Sequence, residues 1–406
     1  MTRKTHSIAV SETRSGLDAF TRGLLIALDH LPLGELTVRW PDGRVFTFHG
    51  QLPGTAASIT IHEPACVRRA ILGGSIGLAE GYMLAEWDSP DLTAFLDFAA
   101  ANLDAVSGPA WLNAPMTPVH RLRHALRSNT RSGSRRNIEH HYDLGNSFYE
   151  LWLDPGMTYS CALFDGTDSD LSAAQQRKWD RLLGLLDIRP GDSLLEIGCG
   201  WGGFAIHAAK TVGARVTGLT ISPEQHAWAK RRVAEEGLSD RIDIRLQDYR
   251  DVGGTFDHVA SIEMFEAVGE RFWPTFFRTV HDRLAEGGQA ALQTITIEGS
   301  RFEEYRSKPD FIQRYIFPGG MLPSPERFAT TAKNAGLGVT EPFFFGHDYS
   351  MTLSAWESRF VDAVQRVRTM GFDERFERMW RFYLSYCQVG FRQGSINVMQ
   401  VALKRL

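Results

Sequence analysis

Leu194-Leu195-Glu196-Ile197-Gly198-Cys199-Gly200-Trp201-Gly202-Gly203-Phe204 is the stretch from which the rest of this 406-residue chain can be organised. Its apolar run has the character of a buried parallel strand, ends in an acid and gives way to glycines at alternate positions. The apolar stretch that begins at Phe204 reads as the helix that follows. A turn of this kind needs glycine because its backbone angles disfavour a Cβ, and because main chain must approach a ligand closely at a helix N-terminus. That is a signal of nucleotide-like recognition. A dinucleotide site would add an acid about 20 residues further on, for the ribose of NAD. Gly218-Leu219-Thr220 stands there instead, which weakens an NAD reading.

Toward the C-terminus the pattern alternates. Arg215–Leu219 reads as a strand, Pro223–Glu236 as a helix with Pro at its start, and Ile242–Leu246 and Phe256–Ile262 as strands. A helix over 271–285 closes at Gly287-Gly288 and leads into a long strand, Gln289–Ile297. A helix over 172–186 delivers the chain to the glycine stretch. This rhythm predicts an α/β fold with a doubly wound, mostly parallel sheet, to which Ile396–Leu403 adds at an edge.

Toward the N-terminus the elements are shorter. Leu17, Phe20, Leu24, Leu28 and Leu31 recur at helical spacing, as expected of a core-facing helix or of one lying on a membrane. Leu36–Trp40 and Val45–His49 flank the turn Pro41-Asp42-Gly43-Arg44 and read as a hairpin. A strand over 57–61, a helix from Pro64 to Leu72 and a helix near Leu92–Ala101 complete a small α+β domain, residues 1–118. Residues 119–136 form a basic linker, with Arg121, Arg123, Arg127, Arg131, Arg135 and Arg136 and no acid among them. It is either a solvated connection or a tether to an anionic leaflet, where each basic residue is worth about 1 kcal/mol. Residues 137–406 are the larger domain.

Bulk properties exclude several classes. With 43% hydrophobic and 23% charged residues the chain has a globular composition, and no apolar run approaches the ~18 residues that span a bilayer. Met1-Thr2-Arg3-Lys4-Thr5-His6 lacks the apolar core of a signal peptide, which predicts a cytoplasmic protein. A net charge of −4 excludes a globally basic nucleic-acid binder. Cys66, Cys161, Cys199 and Cys387 form no CxxC, and the adjacent His140 and His141 point in different directions, so no metal site is expected.

The glycine stretch has the form Glu-x-Gly-x-Gly-x-Gly, through Glu196, Gly198, Gly200 and Gly202. It resembles the first motif of class I methyltransferases, which bind S-adenosylmethionine (AdoMet) in that crevice. Further blocks sharpen the resemblance: His140–Asn146, Met157–Ala162, Gly218–Gln225, Met264–Gly269, Tyr315–Gly320, Asp348-Tyr349-x-x-Thr352-Leu353-x-Ala355-Trp356 and Cys387–Phe391. Together they are similar to the cyclopropane-fatty-acyl-phospholipid synthase family over essentially the whole chain, including Gly77–Tyr82 of the small domain.

That resemblance implies a class I methyltransferase, Rossmann-like fold and a set of roles. Tyr159 and Ser160 would close over AdoMet, with Gly198 and Gly200 as the loop beneath it. Thr220 and Gln225 would meet its ribose and amino-acid end, and Gln247, Asp248 and Tyr249 would flank the adenine. The implied reaction is attack of a cis alkene, in an unsaturated phospholipid acyl chain, on the sulfonium methyl, followed by loss of a proton and closure of a cyclopropane. The family holds a bicarbonate ion as proton acceptor, with Cys161 and Ile295 as backbone ligands and Glu266 and Tyr349 as side-chain ligands. Where many members have His, this chain has Gln293, which can hydrogen-bond an anion but cannot shuttle a proton. A methyl-branched or methylene product is therefore the alternative, and a small-molecule methyltransferase or a non-catalytic lipid-binding protein are further ones.

Glu263 is read as a helix-start acid, with a role in orienting the site as the second reading. The Cys161 thiol is read as a packed group and Cys199 as filler. Phe343–Phe345 and Trp380–Tyr386 are core, or the lining of an acyl tunnel. The linker arginines and the small domain are expected to give peripheral association with the inner face of the membrane, the net charge argues against a nucleic-acid partner, and the family resemblance suggests a homodimer.

Overall fold

The computed structural model describes residues 15–102, 144–166 and 170–406. The basic linker, the end of the small domain, and His140 and His141 lie outside the described residues. The chain divides into two compact units, one of residues 1–117 with 371–389 and one of 118–370 with 390–406. Among the described residues no helix is long and apolar enough to cross a membrane.

The smaller unit carries a four-stranded sheet in the order β2-β1-β3-β4. The predicted hairpin is β1 (Leu33–Arg39) and β2 (Val45–His49), with Leu36 opposite Phe48 and both buried. β3 (Leu52–Ile61) runs parallel to β1, and β4 is Trp87–Asp88. Helix α1 (Ala19–Leu28) starts at Asp18, whose carboxylate accepts from the Phe20 and Thr21 amides. It buries Leu25 and Leu28 and leaves Ile26 exposed. α2 (Ala65–Met83) runs beyond the expected stop at Leu72, because Gly74 takes φ 57° and lets the chain kink and resume as helix. α3 is Leu92–Ala101. Residues 371–389, assigned on sequence to the larger domain, cluster with this unit instead. Arg378 explains why: its guanidinium donates to the Tyr82 carbonyl, to the Trp87 carbonyl at 2.8 Å and to Asp88 at 2.7 Å, and it sits 4.1 Å from the centre of the Tyr82 ring. Phe382, from the aromatic run 380–386, meets Tyr82 at 6.0 Å.

The larger unit is built on a sheet in the order β10-β12-β9-β8-β5-β6-β7. β5 (Ser193–Ile197), β6 (Arg215–Thr220), β7 (Ile242–Leu246), β8 (Phe256–Ile262) and β9 (Leu284–Ile297) are parallel. β12 (Ile396–Arg405) is antiparallel to β9. It does not lie at an edge: β10 (Leu337–Val339) and β11 (Phe343–Phe344) both pair with its other side. Two short strands cover what would otherwise be a long apolar edge. Phe343 and Phe344 are exposed there, and Arg181 stacks 4.0 Å over Phe343.

Alternation along the strands feeds two cores. Leu195, Ile197, Val259 and Leu292 join Phe276, Phe277 and Val280 of α7 (Trp273–Arg283) on one face. Leu194, Val216, Ile244 and Ala291 join Leu182 of α4 (Leu171–Gly184), Phe204 of α5 (Gly203–Thr211) and Val233 of α6 (Pro223–Glu235) on the other. Burial of both faces accounts for the continuous apolar strands seen in the sequence. The order reverses between β5 and β8, which places the binding crevice outside the carboxyl ends of these two strands.

Candidate active site

The first half of the site is made of backbone. Gly198, Gly200 and Gly202 all have positive φ, at 86°, 51° and 84°. A Cβ on Gly198 would lie 2.8 Å from Met264 Cγ, whereas one on Gly200 would meet nothing within 4 Å. The Gly198 and Cys199 amides donate to the Leu219 carbonyl, which fastens the loop to β6. Trp201 Nε1 donates to Asn146 Oδ1 at 2.7 Å, tying in the block that begins at His140.

Glu196, at the end of β5, is buried, and its Oε2 has no hydrogen-bond partner among the described residues. Burial pushes this carboxyl up to about 8. A buried carboxylate oxygen in want of a donor, beside a glycine loop with open space, fits a cationic ligand, and AdoMet carries an ammonium and a sulfonium. Thr220 Oγ1 donates to Gln225 Oε1 at 2.8 Å, so these two residues stand together at the end of β6. Gln247, Asp248 and Tyr249 follow β7 with their side chains engaged locally. Gln247 donates to the Asp251 carbonyl, Asp248 pairs with Arg250 at 2.6 Å, and Tyr249 packs on Phe276, where burial pushes its phenol to about 12. Tyr159 sits among Tyr149, Trp152 and Trp356, with ring centres 5.3–5.6 Å away.

The second half is made of side chains drawn from distant segments. Glu263 is its hub. Glu263 Oε1 accepts from the Cys161 amide at 2.9 Å and from Gln293 Nε2 at 2.7 Å, and Oε2 accepts from the Tyr349 hydroxyl at 2.6 Å. Glu263 itself has φ 50°, a conformation that a non-glycine residue holds at a cost of about 1–3 kcal/mol. Its amide donates to the Gln293 carbonyl, continuing the pairing of Ile262 with Gln293 one step past the end of β8. The reading of Glu263 as a helix-start acid is therefore corrected.

Glu266, one turn on, accepts the Ile295 amide through Oε1, while its buried Oε2 has no hydrogen-bond partner among the described residues. Burial, then the neighbouring Glu263 charge, push Glu266 up to about 8, and burial holds Glu263 above the ordinary carboxylate range too.

A buried lysine completes the electrostatics. Lys178 of α4 donates to Ser160 Oγ at 2.7 Å, and burial pulls it down to about 8 against the attraction of Glu263. Gln400 of β12 donates to the Lys178 carbonyl at 3.2 Å and to Gln293 Oε1 at 2.9 Å. Because a carbonyl only accepts, Gln400 must present its amide N–H there. Gln293 must then turn its oxygen to Gln400 and its N–H to Glu263. The segment bearing Cys161 is sewn to α8 (Gly346–Asp362) by Thr352, which accepts the Ala162 amide, and by Asp348, which accepts that of Phe164. Burial drives the thiols of Cys161 and Cys199 well above their ordinary value, so neither is a ready nucleophile.

Sequence reasoning thus overlooked Lys178 and Gln400 and undervalued Glu263. Gln400 did carry a signal, as a polar residue inside Val398-Met399-Gln400-Val401, and so did an acid just past a strand end. Lys178 carried none, since a lysine on an amphipathic helix is ordinarily solvated.

The family model of mycolic acid cyclopropane synthetase matches residues 129–401. The chain belongs to that family. A tuberculostearic acid methyltransferase of Mycobacterium tuberculosis is 41% identical to it over 389 residues, 93% of this chain and 88% of the relative. The cyclopropane-fatty-acyl-phospholipid synthase of Escherichia coli is 37% identical over 359 residues, 86% and 88% of the two chains. A solved mycolic acid cyclopropane synthase, complexed with SAH and CTAB, superposes with a TM-score of 0.63 at 31% identity, covering 66% of this chain and 98% of its own. As a member of this family the chain is an AdoMet-dependent methyltransferase on the class I fold.

Family resemblance also implied a bicarbonate ion, and here the residues do not fit. The Cys161 amide and the Tyr349 hydroxyl are spent on Glu263, and the Ile295 amide on Glu266. A bicarbonate ion would have to enter beside the buried Glu263 carboxylate that already holds those donors, in a medium where desolvated like charges repel strongly.

Proposed function

We propose that this enzyme adds the AdoMet methyl carbon to the cis double bond of an unsaturated phospholipid acyl chain, at the membrane surface, and forms a cyclopropane. AdoMet, when bound, supplies an electrophilic methyl group. Gly198, Gly200, Gly202 and Glu196 would hold it, with Thr220, Gln225, Tyr159 and Ser160 about it.

The chain's own work is to keep an olefin dry, to shelter the cation left on the acyl chain and to take its proton. The aromatic faces of Tyr159, Trp356 and Tyr349 suit the cation. Tyr349 stacks on Phe391 at 4.3 Å and stands edge-on to Trp356 at 6.1 Å. As the proton leaves the added carbon, its C–H electron pair closes the ring. The observation that carries this reading is the buried carboxyl pair, Glu263 and Glu266, where the aromatic residues meet the strand ends. A Glu263 carboxylate so costly to bury, with Glu266 held beside it, suits a reaction that makes a cation and then deprotonates it.

A methylene or methyl-branched product is the second reading. It is favoured by Gln293 in place of a histidine and by the 41% identical relative whose name is that of a methyltransferase. Radiolabelled AdoMet, purified protein and vesicles of unsaturated phospholipid separate these readings. Label in the lipid is expected, in a released fatty acid that opens under hydrogenolysis. A labelled acid that takes up hydrogen without ring opening, as the methylene product of proton loss does, favours the second reading, whose saturated branch would need a hydride donor added to the assay. Label confined to water-soluble products, or none at all, would sink both.

A further inference from the structure

We infer that Glu263 stands in the place of a bicarbonate ion, so that this enzyme's proton acceptor is part of its own chain. The inference rests on the acyl-modifying function proposed above. A carboxylate and a bicarbonate present the same O–C–O edge to their donors. In this site the edge belongs to Glu263, met on Oε1 by the Cys161 amide and Gln293 Nε2 and on Oε2 by the Tyr349 hydroxyl.

Three further observations point the same way. The backbone at Glu263 is held in a left-handed conformation that a Cβ disfavours, and only structure imposed from around it keeps a carboxylate aimed so. Gln293 has its amide direction set by Gln400 and the Lys178 carbonyl, so it serves as a fixed donor to Glu263 and has no proton to shuttle. Lys178 is buried near enough to act on the charge of Glu263, which leaves one cation to balance one anion without a further ion.

The step balances without an external base. The C–H bond of the cation breaks, its electron pair forms the new carbon–carbon bond, and the proton goes to the free lone pair of Glu263 Oε2. Glu263 then returns the proton to solvent once product has left.

The test uses the full chain, unsaturated phospholipid vesicles and labelled AdoMet, in CO₂-free buffer with and without added bicarbonate. Wild-type transfer is expected to differ by less than twofold between the two. Glu263→Gly removes the carboxylate at a position whose φ glycine accepts without strain, so the fold should stand. Calorimetry should give AdoMet binding within a few fold of wild type. Its transfer should fall at least 100-fold in CO₂-free buffer and recover at least tenfold with bicarbonate, a rescue that a merely structural role would not show. ¹³C-bicarbonate should broaden in NMR spectra with the glycine variant and stay sharp with the wild type. Wild-type transfer that requires bicarbonate, or a glycine variant as fast as wild type without it, overturns the inference and leaves the proposed function standing. Absence of label in lipid under both conditions removes the function, and the inference with it.

Discussion

The glycine loop after β5 and the carboxyl cluster after β8 lie at the ends of adjacent strands, yet they are built in opposite ways. The loop is five consecutive residues, Gly198–Gly202, whose function resides in backbone angles, so one contiguous stretch declares it. The cluster takes Cys161, Lys178, Glu263, Glu266, Gln293, Tyr349 and Gln400 from across the larger unit, and its function resides in side-chain orientation. The lesson is that a turn can be read before the fold, whereas a polar network can be read only after it. Gly198 is where the two meet, because Met264, which fills the space a Cβ would need, directly follows Glu263.

The sharpest way to break this comparison is therefore Gly198→Ala. The substitution forces a Cβ toward Met264 and a side chain onto φ 86°, a strain of about 1–3 kcal/mol. It should weaken AdoMet binding, measured by calorimetry, and cut lipid labelling more than either loss alone predicts, by about 100-fold or more in a turnover scale where each tenfold is ~1.4 kcal/mol. Normal turnover in a normally folded variant would mean that loop and cluster are independent.

Much of the larger unit was legible in advance. Phe256–Ile262 begins and ends where its apolar run says it should, since a strand buried on both faces has few other ways to be written, and Ile242–Leu246 does so through the alternation of an edge strand that buries Ile242 and Ile244 and exposes Asp243 and Arg245. The misses share a physical cause, which is that each depended on a partner far along the chain. β12 looked like an edge until β10 and β11 paired outside it. Residues 371–389 follow Arg378 to carbonyls at Tyr82 and Trp87, almost three hundred positions earlier. Glu263 resembled an ordinary helix-start acid until Tyr349 and Cys161 arrived at it from other elements.

Lys178→Met tests the cluster's charge balance with a smaller expected effect. Methionine fills similar space but removes the cation that favours ionised Glu263. Glu263 should then hold its proton to higher pH, and the acid limb of the pH–rate profile should move upward. On that acid limb turnover should fall about tenfold, which corresponds to ~1.4 kcal/mol, and recover on the alkaline side. An unshifted limb with a uniform loss of rate would show that Lys178 acts only through packing and Ser160.

Glu266→Gln should do least to the reaction at neutral pH, and this separates the two carboxyl groups. With its pKa raised to about 8, Glu266 is largely protonated at pH 7, and glutamine keeps both its shape and an oxygen for the Ile295 amide. Turnover there should change by less than about threefold, since a neutral acid and an amide offer the same acceptor and a donor. Stability should diverge instead. A carboxyl whose folded pKa lies near 8 and whose unfolded pKa is about 4.3 binds more protons in the folded state between those values. Its stabilising contribution is full below the lower value and is lost as pH rises through the upper one. The glutamine variant lacks that slope, so its melting temperature should gain on wild type steadily from pH 5 to pH 8 and then run parallel to it. Parallel curves throughout would place the proton elsewhere, and a hundredfold loss of turnover at pH 7 would make Glu266, rather than Glu263, the acceptor.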